Sequence, residues 1–238
     1  MKSIVLVVFV CLAAPVLARA DGLVADRSTL AGILGASAYT ETFEEYSVTA
    51  GSATGSVIGV LDNTTVANGQ GPGLVGPGIS FSAANPGTGE YAQWDAAGYY
   101  GAPSTELLFG NSGTNTNTLN INFSQPQAAF GLDVRDFSGF TANLTISVYS
   151  TGGTLLYTSP TPYALTGPPR FVGYQSTTGI GSVSLTDTGT YDTWTPIIDN
   201  VEFTPIPEPS TVALFVMGLG VIGGYGVRRR LRRIVAAV

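Results

Sequence analysis

The chain has 238 residues, with sixteen acidic and ten basic side chains for a net charge of −6, no histidine and one cysteine. Without histidine, and with its cysteine inside an N-terminal apolar run, the chain cannot use a Ser-His-Asp or Cys-His mechanism or the usual zinc ligand sets. No Walker-type phosphate loop or GxGxxG turn is present, so nucleotide chemistry has no support either.

The first twenty residues have the pattern of a secretory signal peptide. Lys2 precedes an apolar run over 4–17, and Ala18-Arg19-Ala20 ends it with small residues where a signal peptidase acts. This pattern predicts a signal peptide over 1–20 and cleavage before Asp21. Because Cys11 lies inside the leader, the mature protein is expected to have no disulfide.

A lead-in segment over 21–38 follows. Its stretch over 28–36 contains alanine and leucine, and Ser28 stands at the position of an N-cap, which predicts a short helix; a mobile lead-in is the alternative.

The ectodomain over 21–206 is strongly acidic. It holds three arginines and fifteen Asp or Glu residues, a net charge of −12, and it has no lysine. Such a surface repels nucleic acid and suits either solubility or divalent cations. Nucleic acid is therefore not expected as a partner.

The middle of the chain is predicted to be all-β. Apolar and polar residues alternate over 119–123, 144–149 and 180–185, the pattern of half-buried strands. About ten strands over roughly 165 residues predict one β-sandwich of jelly-roll type over 39–204. Residues 62–89 are rich in glycine and proline and are predicted to form a long loop. The further predicted strands are 42–46, 57–61, 90–94, 107–109, 129–134, 154–157, 171–174 and 197–203.

Two groups of aromatic residues suggest a sugar-binding site. Sugars stack their C–H faces on exposed rings while neighbouring polar side chains bind the hydroxyls. Core packing uses the same aromatic residues, and this is the alternative. The candidate glycan contacts are Trp94, Tyr99, Tyr100, Tyr191 and Trp194.

The two ends of the predicted sandwich share a pattern of acidic residues. The segments Glu41-Thr42-Phe43-Glu44-Glu45 and Ile198-Asp199-Asn200-Val201-Glu202-Phe203 resemble the first and last strands of secreted bacterial domains related to carbohydrate-binding modules. The resemblance implies a structural Ca²⁺ where the terminal strands meet. Since Ca²⁺ takes six to eight oxygen ligands, the predicted ligands are Glu44, Glu45, Asp199 and Glu202. The alternative is that these carboxylates are the solvated ends of edge strands.

Residues 205–233 combine a proline-rich motif, an apolar span and a basic cluster. Pro207-Glu208-Pro209 precedes an uncharged stretch over 210–227, which at ~1.5 Å per residue reaches roughly 27 Å and predicts a transmembrane helix. The positive-inside bias would keep the basic tail over 228–233 in the cytoplasm and the ectodomain outside. Its arginines are Arg228, Arg229, Arg230, Arg232 and Arg233.

This three-part order resembles the PEP-CTERM sorting signal of Gram-negative bacteria. The resemblance implies recognition by an exosortase, a membrane transpeptidase that cuts near Pro-Glu-Pro. It also implies an intermediate anchored in the inner membrane, final placement at the cell surface or in the extracellular matrix, and an association with exopolysaccharide and biofilms.

The sequence thus predicts an exported structural or adhesive protein that binds glycan, is stabilised by calcium and is not an enzyme. A carboxylate-dependent glycan-processing enzyme and an inert surface protein are the alternatives.

Overall fold

The computed structural model describes residues 20–51, 53–57, 59–67, 69–83, 91–98, 104–110, 117–135, 142–160, 163–165, 168–187 and 196–205. These residues form one α-helix, one short 3-10 turn and thirteen β-strands. In chain order the elements are β1 (Gly22–Val24), α1 (Arg27–Leu34), the turn Gly35–Ser37, β2 (Tyr39–Glu41), β3 (Ala53–Val57), β4 (Val60–Leu61), β5 (Ile79–Ala83), β6 (Tyr91–Asp95), β7 (Glu106–Gly110), β8 (Asn117–Arg135), β9 (Ala142–Ser150), β10 (Leu155–Thr158), β11 (Tyr163–Leu165), β12 (Arg170–Asp187) and β13 (Ile197–Pro205).

The strands belong to one antiparallel, hydrogen-bonded sheet that folds over itself. Its main path runs β10-β9-β12-β8-β13-β7-β6-β3. Off this path, β1 pairs with β12, β2 with β13, β11 with β9, β5 with β8, and β4 with β5. Buried side chains from both ends of the path share one core, so the predicted all-β sandwich is confirmed.

Two strands are much longer than predicted, because each joins two segments that the sequence separates. β8 has 19 residues and β12 has 18. β8 pairs with β5 over 119–123 and with β13 over 127–135, while β12 changes register between Gln175 and Ser182. Bulges of this kind bend a strand without ending it. The two long strands therefore run through both halves of the sheet.

The core is built from large aromatic and aliphatic side chains. Trp94 stacks on Tyr46 with ring centroids 4.5 Å apart, and Phe43 meets Phe81 edge-on at 5.4 Å. Each of these four residues is at least 98% buried. Burial of such a side chain contributes ~1.5–3 kcal/mol, which helps explain how a domain expected to lack disulfides can be stable.

The lead-in segment packs on the sheet. Its helix begins after Asp26, whose carboxylate accepts a hydrogen bond from the Thr29 N–H at 2.7 Å, so the predicted N-cap Ser28 is wrong by two residues. Leu30 packs in a small cluster with Ala129, and Gly131 lies directly beneath it, because a Cβ on Gly131 would be 2.5 Å from Leu30 Cδ2. This helix covers the β8 face that would otherwise be open to solvent.

Two local predictions are wrong. Residues 62–89 contain a strand, β5, whose sequence Ile-Ser-Phe-Ser-Ala alternates between buried and half-buried positions after the glycine-rich stretch. The strand predicted over 42–46 is instead a turn, in which Phe43 has a φ of 58° and buries its ring. In both places, packing against the core overrode the local composition.

The predicted signal peptide, apart from Ala20, and the predicted membrane helix over 210–227 lie outside the described residues. Within the described ranges, no helix is long and apolar enough to cross a membrane.

Candidate functional site

One face of the sheet carries uncharged polar side chains, and we call it the polar face. Its members alternate with buried residues such as Phe81, Ile121, Val148 and Val183, so each strand points one set of side chains into the core and the other outward. The members, all half-buried or exposed, are Ser80, Ser82, Thr118, Asn120, Asn122, Thr145, Ser147, Tyr149, Thr158, Ser182, Ser184 and Thr186.

Strand register arranges the polar face in rows that cross four strands. One row runs Ser80, Asn122, Ser182, Tyr149, and the next runs Ser82, Asn120, Ser184, Ser147. Strands lie ~4.8 Å apart and alternate residues ~7 Å apart, so the two rows cover roughly 14 by 7 Å. The face thus offers closely spaced hydroxyl and amide groups.

Hydroxyl pairs connect neighbouring strands within this face. The Thr118 and Thr186 hydroxyls are 3.1 Å apart, and those of Ser147 and Thr158 are 3.2 Å apart. Such pairs hold the side chains in place across strands and leave further donor and acceptor capacity on each oxygen.

The polar face has no charged member, although the ectodomain as a whole carries −12. Asp187, at the end of β12, is fully buried and accepts a hydrogen bond from the Asn143 N–H at 3.1 Å. Soluble proteins usually place Lys and Glu on exposed sheet surfaces for solubility. An uncharged hydroxyl-rich surface can exchange its water for another neutral polar molecule without desolvating an ion.

A pocket of about 280 Å³ opens beside the polar face, close to the lower end of the ~300–1,000 Å³ range of ligand pockets. It includes Ser80 and Asn122 of the first row, and Asp62 adds a carboxylate. Hydrogen bonds from the Thr64 hydroxyl and N–H lower the pKa of Asp62, so this carboxylate is ionised at neutral pH. The remaining lining residues are Asn63, Gly78, Ile79, Phe123 and Ser124.

A buried carboxylate fixes the loop that leads to this pocket. Glu41 accepts hydrogen bonds from the Gly76 N–H at 2.6 Å and the Phe43 N–H at 2.9 Å, and it is fully buried. Burial raises the pKa of Glu41 to about 7 despite these two bonds. Gly76 is needed here, because a Cβ would lie 1.7 Å from the Tyr39 hydroxyl oxygen. Glu41 thus ties β2 to the loop before Gly78.

A row of four carboxylates, which we call the acidic row, crosses the other half of the sheet. Asp199 lies opposite Asp133, and Asp95 lies opposite Glu106. Ile198 of β13 pairs with Leu107 of β7. The next residue on β13, Asp199, therefore lies opposite the preceding residue on β7, Glu106. The four acids therefore occupy adjacent positions on β8, β13, β7 and β6.

Burial governs the electrostatics of the acidic row. Arg135 forms a buried ion pair with Glu106, yet burial still raises the pKa of Glu106. Burial also raises the pKa of Asp95, and that of Asp199 to about 6. At the outer end, Arg27 of α1 contacts Asp133 at 2.8 Å and also pairs with Glu202.

The predicted calcium ligands have separate partners. Exposed Glu44 accepts hydrogen bonds from the Thr105 N–H and hydroxyl, each at 2.9 Å, while Glu45 is exposed. Glu202 pairs with Arg27, and Asp199 accepts hydrogen bonds from Asn200. In the part of the chain that the structure describes, no group of three or more such side chains could hold a metal ion. Calcium binding by these residues stays a prediction.

The structure corrects one predicted glycan contact. Trp94 has no exposed surface and stacks on Tyr46, so neither face of its ring is open to a sugar. Tyr99, Tyr100, Tyr191 and Trp194 lie outside the described residues. The polar face is not among the predicted sites, although the sequence carries its signal: the outward positions of 119–123, 144–149 and 180–185 are almost all Asn, Ser or Thr.

The sorting residues Pro207, Glu208 and Pro209 and the arginine cluster over 228–233 also lie outside the described residues. The family model of the PEP-CTERM protein-sorting motif matches residues 205–230, which confirms the resemblance. The motif marks an exported protein that is targeted to an exosortase and to the surface or exterior of a Gram-negative bacterium. No curated protein matches the chain.

Similar solved structures include an agarase, a pair of xylanase modules and an adhesin domain. An exo-beta-agarase is 17% identical with a TM-score of 0.39 over 56% of this chain and 23% of its own. The CBM22-1-GH10 modules of Clostridium thermocellum Xyn10B, complexed with xylohexaose, are 12% identical with a TM-score of 0.36 over 54% and 26%. The K2 cleaved adhesin domain of Lys-gingipain is 16% identical with a TM-score of 0.36 over 70% and 99%. The chain therefore spans about a quarter of the length of the agarase and of the xylanase modules.

Proposed function

We propose that this exported protein binds a neutral polysaccharide through its polar face and acts as an adhesive component of the cell surface or matrix. The observation that carries the proposal is the polar face itself, two rows of hydroxyl and amide groups with no charge, on a domain of net charge −12.

The chemistry of the face suits a neutral glycan. Sugar hydroxyls both donate and accept hydrogen bonds, as Ser, Thr and Asn side chains do. Tyr149 stands at the end of the first row, next to the exposed Leu155 in register on β10. An aromatic ring and an aliphatic side chain at this edge can contact the apolar face of a sugar. The pocket beside Ser80 and Asn122 provides a recess at the opposite side of the face.

Charge argues against an anionic polymer. The ectodomain repels polyanions at long range, and the polar face has no cationic member to bind a carboxylate or sulfate. The proposed role is binding without turnover, so hydrolysis of the polymer by the purified protein would contradict it.

The test compares binding by the protein purified from its producing host. We expect neutral exopolysaccharide from that host to retard it in affinity electrophoresis, and anionic alginate not to. Replacing Asn120 and Ser184 together by alanine should weaken binding about 10-fold or more, because each lost hydrogen bond is worth ~1 kcal/mol. Thr40→Ala, an exposed strand hydroxyl on β2 outside the face, is the matched control and should bind as the unsubstituted protein does. If the neutral polysaccharide retards the unsubstituted protein, the double variant and the control equally, or retards none of them, the polar face is not the binding site.

A further inference from the structure

The last strand of the sheet ends almost at the sorting motif. Pro205 is still in register with Gln127 of β8, and the sorting-motif match begins at residue 205. Only Ile206 separates this paired residue from Pro207. The folded domain therefore comes within two residues of the motif that an exosortase recognises.

This spacing leaves little chain for an enzyme to hold. A residue spans at most ~3.5 Å, so the Cα atoms of Pro205 and Pro207 are at most ~7 Å apart. Enzymes that bind peptides in extended form contact the main chain on several consecutive residues. With Pro205 held in the sheet, the domain would occupy the space needed on the N-terminal side of the motif.

The end of β13 is weakly held. Its register shifts between Phe203 and Pro205, and Pro205 has no N–H to donate to β8. The Thr204 hydroxyl and Gln127 Oε1 are buried without a hydrogen-bond partner in the described part of the chain. Such a group destabilises the sheet while it is buried, and regains hydrogen bonds to water when it is exposed. Opening this end would relieve both groups.

Phe203, one residue earlier, is firmly packed. It is 99% buried, and its ring lies 5.3 Å from that of Tyr39 and 5.4 Å from that of Phe123. Opening beyond Phe203 would remove a large aromatic side chain from the core, which costs several times more than opening Thr204.

We propose that Thr204 and Pro205 form a detachable end of β13 that leaves the sheet when the sorting transpeptidase binds the adjoining motif, and that Phe203 limits the opening. Detachment lengthens the distance from the last sheet-bound Cα atom to that of Pro207 from two residue steps to four, or from ~7 to ~14 Å at full extension. The inference rests on the sorting motif and is independent of glycan binding.

The test follows processing of the full-length chain in its producing host, by pulse-labelling and intact mass. Thr204→Val removes the unpaired hydroxyl, and Pro205→Val restores an N–H donor, so the double variant should hold the end in the sheet. We expect its processing to slow about fivefold or more, the change that ~1 kcal/mol produces. A spacer of six Gly and Ser residues inserted after residue 205 should restore the rate. Thr40→Val, the same change at an exposed strand position on β2 outside the polar face, is the control and should be processed normally.

Two results would overturn the proposal. One is normal processing of the double variant at the natural spacing. The other is slow processing that the spacer does not restore, because the substitutions would then act on something other than reach. Far-UV circular dichroism and the melting temperature of each variant show whether the domain is folded.

Discussion

Replacing Arg135 by glutamine should lower the free energy of unfolding by about 3–5 kcal/mol, because it leaves the Glu106 carboxylate buried without its cation. Arg135 is 95% buried and Glu106 is 99% buried, and the Arg135 Nε donates to Glu106 Oε2 at 2.6 Å. Asp95 and Asp133 add repulsion to Glu106 from the same row. Urea unfolding, followed by tryptophan fluorescence from the buried Trp94, measures the loss.

Two further variants separate the ion pair from a general loss of packing. Glu106→Gln combined with Arg135→Gln removes both charges, and it should recover part of the stability that the single Arg135→Gln variant loses. Arg170→Gln, at an exposed arginine, should change stability by less than ~1 kcal/mol. A loss below ~1 kcal/mol for Arg135→Gln would show that the buried pair does not stabilise the sheet.

The domain should become less stable as the pH rises from about 4.5 to about 7.5. Burial raises the pKa of Glu41 from 4.5 to about 7, and that of Asp199 from 3.8 to about 6. Between these values the unfolded chain has released the protons that the folded chain keeps. The stability that these two raised pKa values contribute is thus fully present below the pKa values of the unfolded chain. It is lost as the pH rises through the pKa values of the folded chain.

Glu41 should account for much of this pH dependence, on the order of 3 kcal/mol at ~1.4 kcal/mol per pKa unit. Glu45 and Tyr39 are the titratable groups beside it, and Glu45 contributes repulsion. Glu41→Gln, which cannot ionise, should flatten the profile in urea unfolding at a series of pH values. Asp199→Asn should remove a smaller part of the pH dependence, in the lower part of this pH range. A profile that is flat, or that rises toward pH 7.5, would contradict the assignment.

The sequence predicts the strands of the polar face, because each of them has one buried side and one solvated side. Segments 119–123, 144–149 and 180–185 alternate cleanly, and the structure buries the predicted apolar residues, such as Ile121, Ile146 and Val183. The same alternation marks the polar face. It could not show that these positions form continuous rows, because a row depends on the register between strands distant in the chain.

The acidic row could not be predicted for the same reason. Asp95, Glu106, Asp133 and Asp199 are spread over more than a hundred residues, and only the pairing of β6, β7, β13 and β8 makes them neighbours. Trp94 is an aromatic residue beside polar ones in the sequence, and this pattern predicts a ligand contact. Which side of β6 faces the core is decided by packing against Tyr46, which lies in a turn.

The direction of β13 determines which end of the domain meets its surroundings. Asp199 lies near the start of this strand and Pro205 at its end, six residues further, or roughly 20 Å at ~3.3 Å per residue. Whatever holds the sorting motif, whether enzyme or anchor, holds the Pro205 end. The start of β13, with its member of the acidic row, then lies at the far end of the strand from the point of attachment.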